Sequence, residues 1–281
     1  MPTFDTPGPI TATIDVVVGA VRISAAERDA TVVEARPTDS SNAEDVKAAE
    51  QTRAEYANGH LLIRAPKVRS WLPRARGGSV DVTIQLPAGS DVRGAGQLTD
   101  FDCEGPLGDC RLRTGLGQIR VDQADALSLK TGIGDISVDH ATGHADVTTG
   151  SGDVRVRELD AGAVIKSSNG DTWVGEAGGD LRIKAANGSI AVDLARATVG
   201  AKSANGDVRV GEAVRDSVVL ETHLGDVEVG IRDGTAAWLD VRAAAGRVLN
   251  ALETAEAPEP SAETVQVRAR TSAGNVVIRR P

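Results

Sequence analysis

The sequence predicts an all-β, single-stranded β-solenoid (β-helix) with ~18-residue coils and an N-terminal mixed cap containing one short helix. Three observations predict it. Anchor glycines recur at Gly117, Gly134, Gly152, Gly170, Gly188, Gly206 and Gly225, spaced 17, 18, 18, 18, 18 and 19 residues apart. A fixed period in this range marks a stack of repeats. Each anchor lies between two runs in which apolar and polar residues alternate, the pattern of a half-buried strand. No proline occurs between Pro106 and Pro258, as expected where continuous ladders need every backbone donor.

The first coil is made early, around Gly19, with Ala12, Ile14, Val21 and Ile23 in inward slots. About 80 less regular residues follow. There ATVVEA, HLLIRA and SVDVTIQLP read as strands, and 42–57 as a helix with Asn42 as N-cap and Asp45 three positions on. Residues 1–95 therefore form the cap with the first coil, 96–250 the solenoid repeats, and 251–281 a C-terminal loop and closing strands.

Within the repeats, the positions seven and five before each anchor and two and four after it are apolar, as in Leu181, Ile183, Ile190 and Val192 around Gly188. Turns such as Asn187-Gly188 suit positive φ. Asn169, Asn187 and Asn205 share one slot and predict an asparagine ladder. One outward column holds Asp100, Asp135, Asp153, Asp171, Asp207 and Asp226. A second holds Lys130, Lys166, Lys184 and Lys202. The expectation is that the basic column neutralises the acidic one while the aspartates also bond turn amides. Gly246 and Gly274 continue the pattern after longer inserts, and the last strands would close that end.

Composition narrows the function. Apolar residues make up 41% of the 281 and aromatics 2%, so the core must be built from Val, Ile, Leu and Ala. The net charge of −9 argues against a general nucleic-acid binder, which needs a basic footprint. The paired basic column argues against an acidic mimic of nucleic acid. No apolar run is long enough to span a bilayer and no signal peptide is visible, so the expected location is cytoplasmic. Cys103 and Cys110 fall in inward slots on successive strands, as reduced core thiols or, alternatively, a disulfide.

No nucleophile, phosphate or metal-protease motif occurs, and no cofactor or metal is expected. His140 and His144, with Asp139 and Asp146, flank a turn without sharing a strand face. The binding candidates are Trp173, in an outward slot with Arg155 and Arg209, and Trp71 with Arg69 and Arg74 in a basic segment. These point to a non-enzymatic binding or scaffold protein that uses the solenoid faces. The expected partner is a protein, with self-association possible through the solenoid ends. The alternatives are a surface adhesin and a polysaccharide-active enzyme using the outward aspartates.

The opening VVVGAVRI, the run VDVTIQLPAGSDV and the repeated T-x-x-G-D-[IV]-x-V units resemble a bacterial β-strand-repeat family of unknown function. That family carries an adhesin label and is related to adhesin-head domains. The resemblance covers nearly the whole chain. It implies a β-solenoid and no defined catalytic residues.

Overall fold

The computed structural model describes residues 1–66, 78–252 and 263–281. The chain divides into two compact units, Met1–Asp139 and His140–Pro281. Both are β-solenoids, and the chain is all-β apart from one helix among the described residues.

In the first unit, strand Thr11–Asp15 lies parallel between His60–Arg64 and Asp91–Ala95, and Val18–Ala26 lies between Val80–Pro87 and Leu98–Leu107. The early coil is therefore real, and Ala12, Ile14, Val21 and Ile23 are buried. Phe101 is the largest fully buried side chain. Its ring fills the space above Gly94, where a Cβ would meet it at 2.6 Å. This volume exchange lets one aromatic enter a core of aliphatic residues.

The cap closes this unit with antiparallel strands. Ala30–Pro37 covers Val80–Pro87, Thr3–Asp5 pairs with Ala30–Pro37, and Arg53–Ala57 covers His60–Arg64. The expected helix is shorter than 42–57: it runs Ala43–Gln51, and residues 53–57 are strand. Asn58 and Gly59 have φ of +50° and +76°. Two residues with positive φ make a tight hairpin turn, and the hairpin takes the alternating Arg-Ala-Glu-Tyr-Ala run away from the helix. Asn42 caps the helix through Glu44 N at 3.0 Å. The Asp45 carboxylate instead accepts from Asp39 N at 3.1 Å and Ser79 N at 2.9 Å, which fastens the helix to the cap.

The second unit stacks coil on coil. Strands Ala145–Ser151, Ala163–Asn169, Leu181–Asn187, Val199–Asn205 and Asp216–Leu224 are parallel and in register along one side. Strands Val154–Leu159, Thr172–Ala177, Ile190–Ala195, Val208–Ala213 and Val227–Ile231 do the same along another, with a register shift after Val210 in the last pair. Val147, Ile165, Ile183, Ala201 and Leu220 form one internal column, each buried.

The anchor glycine is obligatory at the corner. Gly188 has φ of +136°, and a Cβ on it would stand 2.1 Å from the carbonyl oxygen of Gly170. The threonine of the repeat also acts there. Ser203 Oγ donates to Gly188 O at 3.0 Å and Thr222 Oγ1 to Gly206 O at 2.9 Å, and Thr131 does the same to Gly117 O at 3.0 Å in the first unit. A buried hydroxyl three residues before the anchor thus satisfies a carbonyl of the neighbouring coil.

Chain order and spatial order part at the C-terminus. Strand Thr264–Ala273 lies between Asp216–Leu224 and Ala236–Ala245, and Val276–Arg279 lies between Val227–Ile231 and Val248–Asn250. The strands expected to close the end are internal, and the coil 236–250 is the terminal one. The side chains explain the exchange. Val265, Val267, Ala269, Val276 and Ile278 are buried, as a coil covered on both sides requires. The 236–250 coil carries three successive alanines, Ala243–Ala245, and leaves Trp238, Val248 and Leu249 exposed.

Candidate functional site

Trp173 lies in its expected outward slot, on strand Thr172–Ala177. In-register pairing sets Arg155 and Ala191 on its two sides, with Arg209 beyond Ala191. The stack therefore brings Arg155 beside Trp173 and leaves Arg209 two strand spacings away, about 10 Å. Trp173 is half-buried and tied down. Its Nε1 donates to Asp193 Oδ2 at 3.1 Å. Its ring edge lies over Gly175, where Cη2 would be 3.2 Å from an added Cβ. Arg155 faces Asp153 at 3.7 Å and Arg209 faces Glu228 at 3.8 Å, both largely exposed pairs. Trp71, Arg69 and Arg74 lie outside the described residues.

The outward aspartates are structural rungs. Asp153 Oδ1 accepts from Asp171 N at 3.0 Å, Asp171 Oδ1 from Ser189 N at 2.8 Å, and Asp207 Oδ1 from Asp226 N at 2.8 Å. Each carboxylate bonds the turn amide of the next coil. The expected bonding of the aspartates to turn amides is present. Lys166, Lys184 and Lys202 stack on one another, and Lys202 pairs with Glu221 of its own column at 2.7 Å. The asparagine ladder is present: Asn187 Nδ2 donates to Asn169 Oδ1 at 2.9 Å, and Asn205 Nδ2 to Asn187 Oδ1 at 2.8 Å.

His140 does not join His144, Asp139 and Asp146. It meets Glu158 and Asp160, the ligand atoms lying within 4.8 Å of one another, with Nε2 2.9 Å from Asp160 Oδ2. The same slot holds ion pairs in later coils, Glu176 with Arg196 and Glu212 with Arg232. His140 and Asp160 are one more staple of that series with the acid on the other strand, which accounts for the cluster without an ion. Cys103 and Cys110 are free and buried. The hydrogen bond that the Cys103 thiol donates to Cys110, then burial, push that thiol well above its ordinary value.

Among the described residues, the most open aromatic is Trp238, which lies outside the repeat pattern read from the sequence. Trp238 is 70% exposed, on terminal strand Ala236–Ala245. It stands one residue outside the repeat window, eight before Gly246, where the alternation still points outward. A groove of about 460 Å³ runs beside it, lined by Ser217, Val219, Asp240, Gln266 and Arg268 among others. Asp240 Oδ2 receives Arg268 Nε at 3.1 Å and Arg270 Nη2 at 3.0 Å. Arg270 first, then Arg268, hold the Asp240 carboxyl below its ordinary value. The groove therefore offers an aromatic face, an amide, a hydroxyl and a fixed guanidinium–carboxylate cluster.

The fold and these outer faces define a β-solenoid repeat protein whose exposed features are lateral and shallow. The chain belongs to the DUF4097 family, the model described as Toastrack DUF4097 matching residues 12–279. The resemblance read from the repeat units is thereby borne out. Among solved structures, the chain is similar to a candidate adhesin from Parabacteroides merdae at 11% identity, with 99% of this chain and 94% of that one covered and a TM-score of 0.41. A candidate adhesin from Parabacteroides distasonis matches at 12% identity over 98% and 95%, with a TM-score of 0.46. One from Bacteroides fragilis matches at 12% over 99% and 95%, with a TM-score of 0.36. No curated protein matches.

Proposed function

We propose that this protein is a non-enzymatic binding module that contacts a protein partner through the outer face of its last coils. The observation that carries the reading is Trp238, 70% exposed beside an open groove of polar and charged side chains. A large aromatic in that setting gives contact area at low entropic cost, and Trp and Arg dominate the energy of interfaces. The aspartates that an enzyme reading would use are engaged with turn amides, which favours binding over hydrolysis.

The test is a comparison of Trp238→Ala with Trp173→Ala in affinity capture from the native host, with folding checked by circular dichroism. The expected result is loss of the specific partner with Trp238→Ala and retention with Trp173→Ala. Equal capture by wild type and Trp238→Ala contradicts the proposal.

A further inference from the structure

We infer that the terminal coil is a self-association edge, and that two copies of this chain join there as a closed two-fold dimer by antiparallel pairing of strand Ala236–Ala245. The same strand borders the Trp238 groove through Trp238, Leu239 and Asp240, and the inference rests on its backbone edge and charges.

The backbone of this strand is paired on one side, to Thr264–Ala273. Ala236 N–H donates inward to Glu263 O at 2.9 Å. Successive residues of a strand in a parallel ladder direct their amides to opposite sides. Leu239, Val241 and Ala243 therefore direct N–H and C=O to the free edge. Leu181 occupies the slot equivalent to Leu239 in its own coil, and its N–H donates to Thr198 O of the next coil at 2.8 Å. Leu239 has no such coil to meet among the described residues. The side chains of Leu239, Val241 and Ala243 are only half-buried, whereas their counterparts in the covered coils are buried. A ten-residue edge with an apolar row is a template for another strand.

Charge selects the occupant and the register. Hydrogen-bonded antiparallel pairing must bring together residues whose amides face the edge. Centred on Val241, it sets Val241 against Val241 of the copy, Leu239 against Ala243, and Asp240 against Arg242, twice over. Moving the register by one step either way sets Asp240 against Asp240 or Arg242 against Arg242, and like charges directly opposite destabilise a pair. Arg242 has no ion pair among the described residues, so it is available. The strand is thus complementary to itself in the antiparallel sense.

Among the described residues, the other outer strands are unsuited to this edge; Val248–Asn250, in the same terminal coil, is only three residues long. The first unit ends in Thr3–Asp5 and Arg53–Ala57, antiparallel strands of three and five residues. Short, antiparallel edges of this kind are guarded and present no parallel coil to continue the stack. The contact is therefore isologous and closes at two copies instead of propagating.

The experiment uses the full chain, by light scattering coupled to size exclusion at micromolar concentration, and by sedimentation across a dilution series. The expected mass is twice the chain's 29.0 kDa. Arg242→Asp should raise the dimer dissociation constant at least tenfold, because it opposes Asp240 with a like charge. Val241→Pro removes an edge N–H that makes no bond among the described residues, and should give a monomer with unchanged circular dichroism. A wild-type monomer throughout the series overturns the inference, whether the edge is bare or covered by residues 253–262. So does a dimer that survives both substitutions.

Discussion

Two tryptophans on the same solenoid meet different fates. Trp173 and Trp238 both stand in outward slots of alternating strands. Trp173 belongs to a coil with coils on both sides, and those neighbours supply Asp193 for its indole N–H and the Gly175 shelf for its ring. Trp238 belongs to the terminal coil and is 70% exposed. In a repeat fold, then, the slot decides which way a side chain points, and the number of stacked neighbours decides whether it is free to bind.

The comparison can be broken most forcefully at the anchor glycines. Gly188→Ala introduces both a forbidden φ and a 2.1 Å contact with Gly170 O, and should cost about 3 kcal/mol or more in urea unfolding. Gly246 has the same conformation, with a Cβ position 1.8 Å from Gly274 O. It sits in the terminal coil, which can fray, so Gly246→Ala should lose protection from hydrogen exchange locally with a smaller global loss. Equal global losses would show that the terminal coil is as cooperative as the interior.

The tryptophans themselves separate next. Trp173→Ala should lower stability by about 2 kcal/mol and leave binding intact, whereas Trp238→Ala should do the reverse. A smaller effect of opposite sign is expected at Thr172. Its buried hydroxyl lacks a partner, and it occupies the slot that holds Val154 and Val208 in other coils. Thr172→Val should therefore raise stability by about 1 kcal/mol in the same assay. The smallest effect concerns acid. Because Arg270 and Arg268 depress the Asp240 carboxyl in the folded state, their tether is fully present above the ordinary carboxylate value. It is lost as pH falls through the depressed one. Exchange protection of strand Ala236–Ala245 should persist below pH 4, and Asp240→Asn should abolish that persistence. Separately, Cys103 and Cys110 should resist alkylation in the native state and react only on unfolding, since both are buried and the Cys103 thiol is pushed up.

The repeat, its inward slots and the asparagine ladder were legible in the sequence because their causes are local. A positive φ demands glycine, alternation demands a strand, and Asn-Gly demands a turn. What was not legible depends on long-range order. The side chains of Thr264–Ala273 suit a covered coil, but chain order conceals its insertion beneath Ala236–Ala245, and that insertion makes Trp238 terminal. The helix end was misplaced because Arg53–Ala57 tolerates a helix until the Asn58-Gly59 hairpin claims it. The aspartate column and its bonds to turn amides were legible, but that each amide belongs to the next coil depends on the rise of the stack. Trp238 could have been found by extending the alternation one residue past the aligned window.

The most direct test places a photo-crosslinking residue at position 238 or at position 173 of the full chain in its native host. Crosslinks to a partner protein are expected from position 238 and none from position 173. Crosslinks from 173 with none from 238 would contradict the proposal, and would return the binding face to the interior coils.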